Sequence, residues 1–322
     1  MPAPAPPSTA LGNLHDGTIV GARREDGGLL VVLVDIEYLA ELLEPGSTVL
    51  GARFAESSSA RLSRFAEEES DPQDLLGIED VDFTILSASD EAAGEVLLHG
   101  SQGTVRLSAD AIGFETESGV VISSETLRRA SRLYWERWEA KNLASRLGLR
   151  SRLGTIADLP AMQALYAELL GVLARHNPNV DVENQLQSDW VEKPGGLFTW
   201  IIERVDHHGD AEIVGMALVC GKAYCEALGS SSDFWMYEFV VTLNARRSGV
   251  GRAGVALVLD AHEGEWCLDV LPGNLPAMEF WTSVLSHLEP KTRSRTDDED
   301  VEFVRFEFQT SIAIDDSQPK PA

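Results

Sequence analysis

Three kinds of apolar spacing divide this chain. Up to about residue 123 the apolar positions come in short runs, broken every few residues by turn formers. TIVGAR and LLVVLVD flank the turn-like REDGG and predict a hairpin. IEYLAELLE (Ile36–Glu44) has helical spacing and stops at Pro45-Gly46. STVLGARF, VDFTILSAS, GEVLLHG, GTVRLSADAIGFET and GVVIS then predict more short strands, giving a small β-rich domain over 13–123. No repeat and no catalytic spacing marks this half.

From Ser124, a plausible N-cap, the period lengthens. Leu127, Ala130, Leu133, Tyr134 and Trp138 recur at helical spacing, and the aromatics predict a packed stripe on a connecting helix over 124–148. A third pattern follows. TIADLPAMQALYAELL predicts a helix opened by Asp158 and Pro160. LFTWIIERVD and EIVGMALVCGKAY predict a hairpin around the polar turn 207–210, where His207-His208 is expected to be exposed rather than a metal site. FWMYEFVVTL is a strand, then come a glycine loop, a helix through His262, the strand EWCLDVL, the helix LPAMEFWTSVLSHL and the strand VEFVRFEFQ. The fold class expected over 149–314 is α/β, an α+β mixed sheet.

Composition changes the picture in three places. The opening MPAPAPPSTA and closing SQPKPA predict disordered tails over 1–12 and 315–322, with no signal peptide. Apolar runs look too short for a membrane span, so the expectation is a cytoplasmic protein. The net charge of −26 argues against a nucleic-acid partner and favours a cationic one, while the acidic runs Glu67–Asp71 and Asp297–Glu302 are expected to be solvated loops. Cys220, Cys225 and Cys267 are too few for a disulfide framework or zinc site and are expected to be buried thiols.

The loop FVVTLNARRSGVGRAGVALVLD carries the candidate chemistry. Its glycines expose backbone N–H groups between a strand and a helix N-terminus, with Arg246, Arg247 and Arg252 close by in sequence, which suits a phosphate. Two motifs fit at once. Gly249, Gly251 and Gly254 spell the dinucleotide fingerprint, with Asp269 twenty residues past Gly249 as a ribose ligand, although NARRS separates the strand from the first glycine. Arg246, Gly249 and Gly251 spell R-x-x-G-x-G, a coenzyme A loop.

The second motif has company. TIADLPAMQALY, VVTLNARRSGVG and NLPAMEFW, in that order, make the half from Arg150 onward resemble the GNAT superfamily, the Gcn5-related N-acetyltransferases. Val241, Leu243 (where proline is usual), Arg246, Gly249 and Gly251 fall in register, as do Asn274, Ala277 and Phe280. The resemblance implies an acetyl-CoA-dependent N-acetyltransferase acting on a primary amine, with no metal, as a monomer or homodimer. The amine would be a small cationic one. The alternatives are a protein or peptide acetyltransferase whose first domain holds the target, and a non-catalytic coenzyme A-binding module.

It also implies roles. Backbone groups of Phe239, Val240 and Val241 would pair with pantetheine, and an N–H near Val241 would polarise the thioester. Arg246, Arg247, Ser248, Gly249, Val250, Gly251 and Arg252 would hold the pyrophosphate, and Asn274 and Phe280 would line the cofactor. Glu238, a glutamate inside the apolar run MYEFVV, is the candidate general base, ahead of Asp233 and Asp269. Trp281 stands where the family often has the tyrosine that protonates the thiolate, so Tyr237 or Tyr224 would serve instead, or water would, or the enzyme would be slow or inactive.

Overall fold

The computed structural model describes residues 6–25, 28–55, 59–65, 71–78, 81–92, 94–108, 112–184, 191, 196–297 and 300–311. The chain forms two compact units that divide inside one helix, the first running to Tyr134 and the second spanning Trp135–Ser311.

The first unit is a ten-stranded sheet: β1 (Thr18–Arg24), β2 (Leu30–Asp35), β3 (Val49–Phe54), β4 (Ser59–Arg64), β5 (Gln73–Asp74), β6 (Phe83–Ala92), β7 (Glu95–Gly100), β8 (Gly103–Ser108), β9 (Ile112–Glu115) and β10 (Val121–Ile122). Its order is β10-β9-β3-β2-β1-β6-β7-β8-β4-β5, and its paired strands are antiparallel. Burial alternates along β7 and β8, so Val96, Leu98, Val105 and Leu107 face one core with Phe54, Phe83 and Phe114. Two segments differ from expectation. Part of the opening tail is a short helix, α1 (Pro7–Gly12), because Ala10 and Leu11 have this core to enter. The polar SARLSR is strand β4, since Ala60 and Leu62 alternate inward. The helix α2 (Glu37–Leu43) forms where expected.

Helix α3 (Ser124–Arg146) carries the boundary between the units. Its cap is Ser123, not Ser124: the Ser123 hydroxyl accepts the Thr126 N–H at 3.0 Å. Leu127, Ala130 and Leu133 are buried, but Trp138 is 50% exposed and is not part of the packed stripe.

The second unit is a seven-stranded mixed sheet: β11 (Leu149–Leu153), β12 (Leu197–Val205), β13 (Ala211–Gly221), β14 (Phe234–Val241), β15 (Glu265–Val270), β16 (Lys291–Thr296) and β17 (Glu302–Gln309), in the order β11-β12-β13-β14-β15-β17-β16. Helices α4 (Leu159–Leu173), α5 (Lys222–Ala227), α6 (Val250–Leu259) and α7 (Leu275–Leu285) complete it. Met162, Leu165, Tyr166 and Leu170 of α4 pack on Ile201, Met216, Leu218 and Val240. Val250 and Ala253 of α6 pack with Ala144, Leu149, Ile202 and Val214. Because β13 is covered on both faces, its buried run is continuous from Val214 to Gly221.

Several details depart from the sequence pattern. The segment read as strand through Tyr224 turns into α5 at Lys222. β16 was not foreseen, because KTRSRT is a polar edge strand with nothing apolar to bury. Ile156–Leu173 is long and apolar enough to cross a membrane by length and composition, contrary to the expectation that no run is; α4 puts four of those residues into the sheet packing above. The closing tail, residues 1–5, most of Glu67–Asp71 and two residues of the run 297–302 lie outside the described residues.

Candidate active site

The site begins where two parallel strands part. Among the described residues β14 pairs with β15 only at Phe234–Trp266 and Trp235–Cys267, and beyond them no described strand lies along the far edge of β14. On the other edge the Thr242 N–H bonds to the Val214 carbonyl at 2.9 Å, which fixes the alternation. In that antiparallel ladder Glu238 and Val240 turn their backbone groups toward β13, while Phe239 and Val241 turn theirs to the open side. Val240 is therefore not available to pair with a ligand as expected. A register shift between Leu218 and Val219 makes Tyr237 the extra residue of a bulge beside Glu238.

The chain leaves β14 through a 3-10 turn at Leu243–Ala245 and reaches α6 through the glycine loop. Arg247 has φ of 60° and Gly249 has φ of 90°, so the N–H groups are turned out of the helical path. Among the described residues the backbone N–H groups from Arg247 to Arg252 meet no acceptor, and the first bonded amide of the helix is Ala253, on the Gly249 carbonyl at 3.0 Å. Gly251 lies close under Phe280: a Cβ there would stand 3.1 Å from the ring. The loop is an arc of bare donors at a helix N-terminus, a natural anion site.

The arginine side chains are placed differently from expectation. Arg246 bonds to Glu168 at 2.7 Å and to the Val241 carbonyl at 3.2 Å, and Arg252 bonds to Glu136 at 2.7 Å. Both brace the loop instead of lying free in it. Arg247 is exposed and has no described ion-pair partner.

Glu238 sits on the face of β14 that looks toward α4. No described donor or cation reaches it, and desolvation pushes its carboxyl up to about 8. Burial, with Glu238 nearby, raises the Tyr166 phenol to about 12, and the Asn184 amide donates to that phenol at 3.5 Å. Tyr166 and Asn184 escaped the sequence reading because a tyrosine on an apolar helix face carries no signal beyond packing. Tyr237, 45% exposed, is raised by burial and then by Glu238.

The weaker base candidates are excluded by their partners. Asp269 accepts Arg305 at 2.7 Å through both oxygens and Arg295 at 2.9 Å, which also removes it as a ribose ligand. Asp233 accepts the Glu265 N–H at 3.0 Å, its largest stabilisation, and Lys222 at 3.1 Å, and is held below its usual range. Asn274 caps α7, accepting the Ala277 N–H at 3.3 Å; it is buried, and its amide NH2 has no described acceptor. Trp281 is buried edge-on against Phe239 at 5.7 Å, and Phe280 stacks on Phe239 at 6.0 Å. Tyr224 lies on α5 against Gly196, at the end of β13 remote from the loop. The three cysteines are buried thiols, as expected.

The second unit has the mixed sheet, open beside its fourth strand, that the GNAT resemblance implies. No family profile and no curated protein matches this chain. Solved structures do. A putative acetyltransferase, yncA of Salmonella typhimurium, solved with acetyl-CoA, is 12% identical with a TM-score of 0.36 over 54% of this chain and 98% of that one. NAA60 of Arabidopsis thaliana, in complex with a bisubstrate analogue, is 14% identical with a TM-score of 0.34 over 50% and 98%. A putative GNAT-family acetyltransferase of Desulfovibrio desulfuricans is 13% identical with a TM-score of 0.35 over 51% and 99%.

Proposed function

We propose that the second unit is an acetyl-CoA-dependent N-acetyltransferase whose acceptor is a primary amine. The observation that carries this reading is the open edge of β14 followed, after one 3-10 turn, by the bare N–H arc of 247–252. The edge offers extended backbone partners to the pantetheine amides at Phe239 and Val241, and the arc offers donors to the pyrophosphate. The buried Asn274 amide supplies one further donor on the cofactor side.

Chemistry then follows from position. The Glu238 carboxylate takes a proton from the bound ammonium, and the amine lone pair attacks the thioester carbon. The N–H of Val241 or Phe239 on the open edge stabilises the oxyanion as the C=O bond opens. The nitrogen gives its remaining extra proton to water, the oxyanion collapses, the C–S bond breaks, and the thiolate takes a proton from the Tyr237 hydroxyl or from water. The products are an acetamide and free coenzyme A. A group poised near pH 8 suits the base, because its carboxylate fraction rises where amines themselves begin to lose protons. The acidic chain, at −26, favours a cationic amine by long-range attraction.

The test is calorimetric titration with acetyl-CoA beside Ser248→Glu. This variant puts a negative charge on the arc at an exposed, ordinary backbone position, whereas a side chain at Gly249 would be strained by its φ. Binding by the native chain, weakened roughly tenfold or more in the variant, is the expected result. Equal binding by both proteins removes the loop from the cofactor site. Native binding then justifies an amine panel.

A further inference from the structure

Trp138 is the residue of α3 that the packing does not explain. It is half exposed, and Trp135 holds it edge-on with ring centres 5.8 Å apart. With Glu139, Asn142, Leu143 and Arg146 of α3 and Arg252 of α6, it encloses a groove of about 540 Å3. All six residues belong to the second unit.

The groove adjoins the N–H arc. Its wall residue Leu143 is the nearest side chain to Gly249, where a Cβ would stand 3.4 Å from a Leu143 methyl. Arg252 closes the arc and lines the groove as well, held by Glu136 at 2.7 Å and Glu139 at 3.7 Å. A diphosphate resting on the arc would carry its next group here. The groove is chemically uneven in a way that matches one such group. Trp138 presents an aromatic face for a purine, Leu143 an apolar floor, and Asn142 and Glu139 polar partners for its edge and ribose. Arg146, exposed and with no described ion-pair partner, presents a cation for a phosphate.

We infer that this groove receives the adenosine 3′-phosphate end of coenzyme A, with the purine stacked on Trp138 and the 3′-phosphate at Arg146. The inference rests on reading the arc as a pyrophosphate site. Helix α3 precedes the segments that carry the GNAT resemblance.

Three ligands separate the parts: coenzyme A, 3′-dephospho-coenzyme A and 4′-phosphopantetheine, titrated into the full chain. Trp138→Ala is expected to weaken coenzyme A binding about tenfold or more and to leave phosphopantetheine unchanged, since only the former has a base to stack. Arg146→Ala should weaken coenzyme A but not the dephospho form. Native affinity for coenzyme A in Trp138→Ala overturns the inference, as does an equal loss for phosphopantetheine. Failure of the native chain to bind coenzyme A overturns the loop reading itself, and the groove falls with it.

Discussion

At the scale of single residues, Glu238 and Asp269 make opposite cases from the same side-chain chemistry. Asp269 is surrounded by two arginines, and burial there is neutralised. Glu238 is half-buried with no described partner, and desolvation lifts its carboxyl from the ordinary 4.5 to about 8. That shift has a sign. The folded chain holds a proton that the unfolded chain has released, so between about pH 4.5 and 8 stability falls as pH rises, by at most about 1.4 kcal/mol per unit. Below 4.5 both states are protonated and the cost vanishes. Glu238→Gln should therefore raise Tm more at pH 8 than at pH 5, while kcat falls about 10²–10⁴-fold and the rise in rate near pH 8 is lost. Thermal melts and pH–rate profiles read the two halves separately. A variant that is neither stabilised nor slowed removes Glu238 from the base role.

The loop and its helix act as one element, and their geometry depends on how closely α6 approaches the sheet. Gly254 sets that distance: a Cβ there would stand 2.6 Å from the Ile202 methyl, beneath Phe239 at 3.6 Å. Gly254→Val should cost about 1–3 kcal/mol by overpacking, visible as a lowered denaturation midpoint. It should also weaken acetyl-CoA binding, because the displaced helix carries the N–H arc with it. This third glycine explains why the sequence fits two motifs. Close helix-to-strand packing is a need shared by the dinucleotide and coenzyme A folds, so the spacing alone could not choose between them. The proposed coenzyme A reading leans on the path after the strand, where a 3-10 turn intervenes, and on the two-pair contact of β14 with β15. Neither is written in the apolar pattern. The glycines, Arg246 and Glu238 were legible because each breaks a local rule. The partners of Arg246, Arg252, Asp233 and Asp269 were not, because ion pairs join residues far apart in sequence.

For the whole molecule, the apolar pattern located both sheets, and the units divide inside the helix that it read as a connector. The sequence changes character at Gly148, so α3 reads as a connector. In the structure its last turns are core: Ala144 is buried with Val250 and Ala253, and Leu143 and Leu147 pack on the same cluster. The buried residues of the first unit's core run only from Ala10 to Ala130 and share none with those clusters. A fragment of residues 135–311 should accordingly fold with a single cooperative melt and bind acetyl-CoA as tightly as the full chain. A fragment starting at residue 149 loses Leu143, Ala144, Leu147 and the Trp138 groove, and should bind far more weakly or fail to fold. The longer fragment also separates the acceptor classes. Retained turnover of small amines places acceptor recognition in the second unit. Binding of acetyl-CoA with loss of all turnover, set against an active full chain, assigns acceptor recognition to the first unit and points to a peptide or protein target.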